Sequence, residues 1–407
     1  MAAVNITSGN NDDNVITNGR RVAVRNSSGI PYVIVENQSD DSIDVWKGNS
    51  ATPTSFTEQD NTNNPSGTVY GSCSAAIDFG GIIHIAYMQY NGKTSAFRYV
   101  TFNTSTDTFS GDVAVDTDIG SDPTSISNLY TAIAIDTANI PHVVYTRSEA
   151  DMGTDFLTAT YRNRIGGSWS SLILVSTTAT NADAVEYDIT INSNNLPMFS
   201  YLYKRPSMNI TAVRGNANNP GFFIQAIISA DNISEIGPSM AVDSNGDEYV
   251  VFQGTSGIQI RKHIKNNPWP IGNWETIQTV SSSTAGTLSL VIDGTDLYVF
   301  AEDANNDIVY YKSTNYTSWD SAVNLETGTY NTVIAKWARW IDIDSSGTNR
   351  GGGGSRIELD YVFTDETATP DILWNKLSIG ATEVDKTFTV DAFLQATETI
   401  KHSLLMQ

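Results

Sequence analysis

The sequence predicts an all-β protein: a single β-propeller of seven four-stranded antiparallel blades, closed into a ring by its N-terminal strand. Three observations lead to this prediction: the composition, a recurring motif, and a copy of a blade edge at the N-terminus. Charged residues make up only 17% of the 407 residues and hydrophobic ones 40%. Asn, Ser, Thr, Asp and Gly fill the difference, and because they favour turns and strand edges, many short strands are expected.

The recurring motif is an apolar run, a tight turn opened by Asp or Asn, and a second apolar run with an aromatic residue. It is clearest in AIAIDTANIPHVVY around Asp136 and in MAVDSNGDEYVVF around Asp243. Seven copies follow one another at spacings of 50 to 58 residues, anchored at Arg25, Asp78, Asp136, Asn192, Asp243, Asp293 and Asp344. A period of about 50 residues matches one propeller blade.

Each copy predicts the same local structure. The first run is a strand buried on both faces between neighbouring blades. The Asp or Asn side chain accepts hydrogen bonds from backbone N–H groups, and a Gly or Asn follows where φ is positive. Arg25 departs from this pattern, and the adjacent Asn26 is the alternative that supplies the turn. The second strand is predicted to end at an aromatic: Tyr87, Tyr145, Tyr201, Phe252, Phe300 or Phe363. Another aromatic opens the fourth strand: Phe56, Phe109, Trp169, Phe222, Trp274 or Trp319.

Ring closure is predicted from a second similarity. The fourth strand of blade six, residues 322–328, reads AVNLETG, and residues 3–9 read AVNITSG. Blade seven, predicted from about Ala335, supplies three strands of its own in WARWIDID, RIELDYVF and ILWNKLS. Residues 2–9 are therefore expected to be its missing fourth strand, which removes the open ends of the ring.

The propeller is predicted to span residues 1–380, with GGGGS at residues 351–355 in a turn. Residues 381–407 differ in composition and are expected to be a C-terminal extension that attaches the ring to a partner. The spacing of Phe393, Ile400 and Leu404 within it is compatible with a short amphipathic helix.

Charge and cysteine content narrow the classes of partner. The net charge of −22 argues against binding to nucleic acid or to anionic membrane surfaces, both of which require clustered Lys and Arg. Cys73 is the single cysteine, so no internal disulfide can form. The N-terminal segment has neither the basic nor the apolar region of a secretory signal, and no apolar run approaches a membrane span. We therefore expect synthesis in a cytoplasm, without membrane insertion.

The repeat resembles the sialidase-like (BNR-type) propeller repeats of bacterial, archaeal and phage proteins, over roughly residues 20–380. The resemblance implies the fold and says little about activity. Sialidases carry Ser-x-Asp-x-Gly-x-x-Trp between strands three and four, whereas here the Asp turn precedes strand two and no Trp follows at that spacing. A Phe-Arg-Ile-Pro segment is also absent, so sialidase activity is not predicted.

Other candidate motifs have structural interpretations. His84 and His142 occupy the same place in adjacent blades, which favours a structural role over metal binding. Residues 243–247 and 303–307 resemble half of a calcium loop but lack its distal Glu, so simple Asx turns are expected. Trp269, in a predicted loop, is a candidate for stacking on a ligand. No catalytic residues, metal site or cofactor are predicted.

A ligand site is predicted just past the second strands, where loops gather around the central channel on the face opposite the Asp turns. Its residues are Gln89, Tyr90, Arg147, Tyr203, Arg205, Glu302 and Asp365. This mixture of aromatic, cationic and acidic groups suits a neutral or acidic glycan. A ring of solvated loops without a ligand is the alternative.

The leading functional hypothesis is a non-enzymatic structural and recognition protein of a virus particle, associated with the tail or capsid and located in the virion. Its partners would be other virion proteins, contacted through the C-terminal extension, and a glycan of the host surface. The alternatives are a carbohydrate-active enzyme or lectin built on the same propeller, and a microbial cell-surface protein. Because a fold does not determine function, the sequence leaves these alternatives open.

Overall fold

The computed structural model of the protein describes residues 3–7, 22–37, 42–60, 69–90, 95–117, 119, 130–149, 156–175, 184–192, 194–203, 209–215, 223–229, 237–265, 267–269, 273–328, 330–334, 359–365 and 372–377. Every named element within these ranges is a β-strand, and the strands form seven antiparallel sheets. The predicted seven-bladed propeller is therefore confirmed.

The first three blades are formed by strands β2 to β14. Blade one contains β2 (Ala23–Arg25), β3 (Pro31–Asn37), β4 (Ser42–Gly48) and β5 (Phe56–Gln59). Blade two contains β6 (Val69–Ile77), β7 (Ile82–Tyr90), β8 (Ser95–Asn103) and β9 (Thr108–Asp116). Blade three contains β10 (Thr131–Ile135), β11 (Pro141–Glu149) and β12 (Phe156–Ile165), and its outer position is filled by two short strands, β13 (Ser168–Trp169) and β14 (Ile173–Leu174).

The remaining blades follow the same order. Blade four contains β15 (Ala184–Ile191), β16 (Pro197–Tyr203), β17 (Asn209–Gly215) and β18 (Phe223–Ser229). Blade five contains β19 (Ser239–Val242), β20 (Glu248–Gly254), β21 (Gly257–His263) and β22 (Gln278–Ser281). Blade six contains β23 (Leu288–Asp293), β24 (Asp296–Glu302), β25 (Ile308–Ser313) and β26 (Val323–Glu326). Blade seven joins β27 (Tyr330–Ile334), β28 (Leu359–Asp365) and β29 (Ile372–Leu377) to β1 (Val4–Thr7) from the N-terminus.

The first strands β10, β15 and β23 are buried over most of their length, and side chains connect some neighbouring first strands to each other. All residues of β10 are buried, as its apolar sequence predicts. The backbone N–H of Met240 donates to Asp188 Oδ2 at 2.6 Å, and that of Leu290 donates to Ser239 Oγ at 2.8 Å. These bonds join blade five to blade four and blade six to blade five, so these inner strands are connected by side-chain hydrogen bonds as well as by packing.

The predicted Asx turns are present at five of the six motif copies whose turns the structure describes. Asp136 Oδ1 accepts hydrogen bonds from the N–H groups of Ala138 and Ile140, both at 2.8 Å, and Asn139 adopts a φ of +62°. Equivalent turns occur at Asn26, Asp78, Asn192 and Asp243. Asn26 thus replaces Arg25 as the turn residue, as the alternative interpretation predicts. We call the side of the ring that carries these turns the Asp-turn face.

Two anchors of the motif, Asp293 and Asp344, are not among these Asx turns. Asp293 does not open a turn of this kind; it pairs with Asp296 across a two-residue hairpin in which Gly294 has a φ of +62°. The hairpin is tighter because β23 and β24 remain paired up to the turn. Asp344, the anchor of blade seven, lies outside the described residues, as do residues 351–355 and 381–407.

Some predicted strand limits are wrong. The second strands continue two to four residues beyond the aromatic that was expected to end them, because pairing with the third strand persists there. The first strand of blade seven begins at Tyr330 and not near Ala335. Trp274 and Trp319 precede the fourth strands of their blades instead of opening them, whereas Phe56 opens β5 as predicted.

Lys–Tyr pairs recur on the Asp-turn face and were not predicted. The ammonium groups of Lys47, Lys262 and Lys312 lie 5.6, 5.4 and 5.3 Å from the ring centroids of their cross-strand partners Tyr32, Tyr249 and Tyr298. Lys262 and Lys312 also contact Asp247 at 2.7 Å and Asp296 at 2.9 Å. Each pair adds a cation–π contact near the start of the second strand of its blade.

Blade seven closes the ring with residues from both ends of the chain. β1 pairs antiparallel with β29, with Val4 opposite Trp374 and Asn5 opposite Leu373. Trp374 is 0% exposed and lies 5.7 Å from the ring of Phe56 in blade one. The predicted closure by the N-terminal strand is present.

A charged contact reinforces the junction between blades seven and one. Arg25 donates from Nη2 to Asp360 Oδ1 at 2.6 Å and from Nη1 to the carbonyl of Ala51 at 2.8 Å. The Arg25 guanidinium also lies 6.0 Å from the ring centroid of Trp374. Arg25, which departs from the repeat pattern, therefore connects the first blade to the last.

Deletion of residues 2–9 should destabilise the whole propeller. The deletion removes the ladder between β1 and β29, with each hydrogen bond worth roughly 0.5–1.5 kcal/mol, and the buried side chain of Ile6. We expect a clear fall in Tm and increased aggregation through the exposed edge of β29. Thermal unfolding with light scattering measures both, and an unchanged melting curve would contradict the closure.

Candidate functional site

The residues predicted to rim a ligand pocket lie at one end of the second strands. Four of them lie two residues after the aromatic that recurs in the second strand of each blade: Gln89 in β7, Arg147 in β11, Tyr203 in β16 and Glu302 in β24. Tyr90 and Asp365 also belong to second strands, and Arg205 lies outside the described residues. The expectation that these residues occupy loops is wrong for six of the seven, since the strands run through them.

The topology places these positions on a common side of the ring. First and second strands are antiparallel in every blade, so the second strands end where the first strands begin. That side is opposite the Asp turns, as predicted. We call it the strand-two face, and it contains Gln89, Arg147, Tyr203 and Glu302.

Arg147 lies where blade three meets blade two. Its Nε is 3.9 Å from Asp116 Oδ2 at the end of β9, and the hydroxyl of Tyr145 donates to the same oxygen at 2.9 Å. Tyr145 stacks on Phe97 of blade two, with ring centroids 4.1 Å apart and planes 7° from parallel. Burial and the nearby Asp116 raise the pKa of Tyr145, so its hydroxyl remains a donor at neutral pH.

A similar arrangement occurs one blade earlier. The Tyr87 hydroxyl donates to Asp112 Oδ1 at 2.8 Å. Arg98 donates to both oxygens of the same carboxylate, from Nε to Oδ1 at 3.1 Å and from Nη2 to Oδ2 at 2.8 Å. Sequence reasoning missed Arg98 and Asp112, which lie on the third and fourth strands. In the sequence, only the Arg of the FRYVTF segment hints at this group. Arg98 comes to lie beside Tyr87 through the pairing register of β7 and β8, which the sequence does not reveal.

Buried carboxylates also lie near the strand-two face. Glu302 is 9% exposed and Glu186, on the first strand of blade four, is 7% exposed. The Glu302 side chain lies against Gly286, where an added Cβ would come within 2.3 Å of Oε2. The face therefore combines carboxylates, guanidinium groups and phenol rings. Such groups offer hydrogen-bond donors, acceptors and stacking surfaces to a polar ligand.

His84 and His142 belong to the Asp-turn face. His84 Nδ1 is hydrogen-bonded to the Tyr99 hydroxyl at 2.5 Å, and His142 Nδ1 to that of Tyr161 at 2.6 Å. Burial opposes ionisation of Asp78, but hydrogen bonds from His84 and the Ile82 N–H outweigh it and lower the pKa of this carboxyl. The repeated bonding supports the structural interpretation of both histidines. Among the described residues, no group of three or more His, Cys, Asp or Glu could hold a metal ion.

Two further candidates from the sequence are structural in the protein. Trp269 is only 6% exposed and packs edge-on against Trp274, with centroids 5.2 Å apart, so its predicted role as a stacking platform is wrong. Asp243 and Asp303 each accept hydrogen bonds from two backbone N–H groups through Oδ1, which confirms Asx turns at both half-loops.

No helix in the described part of the chain could cross a membrane.

Comparison with known proteins places the chain among propellers by structure alone. No protein-family model and no curated protein sequence matches it. A lectin from Burkholderia pseudomallei superposes with a TM-score of 0.59 at 12% identity, over 89% of this chain and 98% of that one. The polysaccharide lyase Uly1 gives 0.56 at 9% identity, over 89% and 90% of the two chains. The alpha-L-arabinofuranosidase of Fusarium graminearum gives 0.52 at 15% identity, over 80% and 98%.

These similarities show the fold. The chain is a seven-bladed β-propeller whose structural neighbours include lectins, polysaccharide lyases and glycoside hydrolases. At such low identities, the activities of the neighbours do not transfer to this chain.

Alkaline pH should unfold the propeller as its buried tyrosines ionise. Burial raises the pKa of Tyr99 to about 12, and burial together with Asp107 raises that of Tyr32 to about 12; those of Tyr87 and Tyr145 are raised further. A raised pKa means that the stabilising contribution is complete below the unfolded value, about 10, and is lost as pH rises through the folded value.

We therefore expect a Tm that is insensitive to tyrosine ionisation up to about pH 9 and falls steadily above about pH 10. Thermal melts, combined with ultraviolet titration of tyrosinate, measure both changes. Ionisation of every tyrosine near its ordinary pKa in a still-folded protein would contradict the burial described above.

Proposed function

We propose that this chain is a glycan-binding propeller whose ligand occupies the strand-two face. The observation that carries the proposal is the group formed by Arg147, Asp116 and Tyr145 where two blades meet. Gln89, Tyr203 and Glu302 stand at corresponding positions on the same face. Structural neighbours that include a lectin and two glycan-acting enzymes support it.

The chemistry of these groups matches that of a sugar. Sugar hydroxyls both donate and accept, so a guanidinium beside a carboxylate can bind a pair of neighbouring hydroxyls. The half-buried ring of Tyr203 offers an apolar surface for the C–H face of a pyranose. Because the groups stand on paired strands and not on free loops, their positions are held by the ladder, which favours specific binding.

A glycan-cleaving enzyme is the second candidate. It is favoured by the presence of buried carboxyl groups near this face, Glu186 in blade four and Glu302 in blade six, because glycoside hydrolysis uses carboxyl groups. Release of shorter saccharides from a bound glycan distinguishes this candidate from a lectin.

The more specific predictions about context remain proposals. These proposals are that the repeats are related to sialidase-like repeats, that the protein is located in a virion, and that residues 381–407 attach it to other virion proteins. A particle proteome tests the location. Truncation after residue 380 tests the attachment: the ring should still fold, and incorporation into an assembly should be lost.

Two substitutions test the glycan-binding face. Arg147→Ala and Tyr203→Ala should each weaken binding roughly tenfold or more, because each removes a charged hydrogen-bonding or stacking group. A glycan array identifies a ligand, and calorimetry then measures its affinity for each variant.

Arg164→Ala is the matched control. Arg164 is on β12 of the same blade as Arg147 but at the Asp-turn face, where it contacts Gly167 and Tyr99. It should bind glycan like the unmodified protein. Absence of any glycan binding by the intact protein contradicts the function, and binding that neither Arg147→Ala nor Tyr203→Ala weakens contradicts the assigned face.

A further inference from the structure

Glu186 has a backbone conformation that its residue type rarely adopts. Its φ is +56°, in the left-handed region, within β15. The other described non-glycine residues with positive φ are Asp60, Asp107, Asn139, Asn195, Asn306 and Tyr316. Asp and Asn tolerate this region because their short side chains can bond locally, whereas Glu has no such preference. The conformation of Glu186 is therefore strained, and the surrounding structure must hold it.

A β-bulge produces the strained conformation. Val185 pairs with Leu202 and Asp188 with Ser200, so Glu186 and Tyr187 together stand opposite Tyr201. The Tyr187 hydroxyl donates to the carbonyl of Ala184 at 2.5 Å, and this bond closes the bulge. Bulges of this kind redirect one side chain and occur frequently beside functional sites.

The bulge lies between the two residues on which the proposed glycan site depends. Ala184, two residues before Glu186, pairs with Tyr203. On the other side, Thr146 donates to the Tyr187 hydroxyl at 3.4 Å, and Thr146 immediately precedes Arg147. The bulge that carries Glu186 thus contacts blade three, which supplies Arg147, through Tyr187, and it adjoins the second strand of blade four, which supplies Tyr203.

The neighbouring blade leaves room for the Glu186 side chain. Gly237, at the entry to blade five, lies so close that an added Cβ would come within 2.4 Å of Glu186 Cβ and 3.1 Å of its Oε2. A larger residue at position 237 would displace the carboxylate. The strained glutamate and this glycine, on separate blades, together fix one carboxyl group that is only 7% exposed.

We propose that Glu186 is a ligand-binding residue of the strand-two face, and that its carboxylate accepts hydrogen bonds from the hydroxyls of a neutral glycan. The inference rests on the proposed function and narrows its ligand class. An ionised carboxylate only accepts hydrogen bonds, so it suits hydroxyl donors. Glu302 adds a second buried carboxyl group to the same face. Arg147 and Arg98 each lie beside a carboxylate, Asp116 and Asp112, that offsets their charge, so the added carboxyl groups disfavour a glycan that carries carboxylate or sulfate.

Two substitutions of Glu186 separate a binding role from a structural one. Glu186→Gln keeps the shape and removes the charge, and Glu186→Gly removes the side chain at a φ that glycine adopts without strain. We expect both variants to bind a neutral oligosaccharide identified on the array roughly tenfold to a hundredfold more weakly. The Tm of Glu186→Gly should equal or exceed that of the unmodified protein, because the substitution relieves the strain.

The controls lie on the Asp-turn face. Glu275→Gln removes the carboxylate of a residue whose backbone N–H donates to the carbonyl of Lys262, and Asn139→Gly places glycine at another positive φ, of +62°. Both should leave the affinity for the oligosaccharide unchanged. The unmodified protein should also prefer neutral over carboxylated oligosaccharides, and Glu186→Gln should narrow this preference.

The outcomes distinguish this inference from the proposed function. Weaker binding by Arg147→Ala together with full binding by Glu186→Gln and Glu186→Gly would overturn the role of Glu186 and leave the glycan-binding face in place. A lower Tm for Glu186→Gly would also overturn it, since the side chain would then stabilise the fold. Absence of glycan binding by the intact protein overturns both.

Discussion

The pairing of β1 with β29 is the interaction on which the ring depends. Residues from the two ends of the chain meet in blade seven, and Arg25 and Asp360, 335 positions apart, bond across the adjoining junction. Without these contacts, the outer edge of β29 and the junction between blades one and seven would be exposed. Closure converts a row of similar blades into one cooperative body.

A closed ring also explains how a site can be assembled from several blades. The Arg147 group takes Asp116 from blade two, and the Glu186 carboxylate depends on Gly237 at the entry to blade five. Bonds between blades keep these elements in register. Arg261, for example, donates to the backbone carbonyls of Glu275 in its own blade and of Ile228 in the preceding blade, both at 2.8 Å. A rigid frame of this kind can support a strained residue that an isolated hairpin could not.

The parts of the fold that were predictable from sequence are those determined by local chemistry. Asx turns at residues such as Asp136 follow from side-chain bonds to backbone groups four residues away or fewer, and the copy of the blade edge at residues 3–9 signalled closure. The limits of the second strands were mispredicted because aromatics such as Tyr145 mark a packing position against the next blade, not the end of pairing.

The candidate site was predictable only in part, for the same physical reason. The positions of Arg147 and Tyr203 follow from the repeat, so the face on which they lie could be predicted. The placement of Arg98, Asp112 and Glu186 depends on cross-strand register and on a bulge, which have no local signature in the sequence. The buried position of Trp269 was missed because it depends on contacts with Trp274 and His263.

Native-state hydrogen exchange measures the central claim most directly. If blade seven closes the ring, the backbone amides of β1 and β29 should exchange only through global unfolding, with the same protection and denaturant dependence as those of β10. Free exchange of the β1 and β29 amides, while those of β10 remain protected, would show that the ring is stable without its N-terminal strand and would contradict the account.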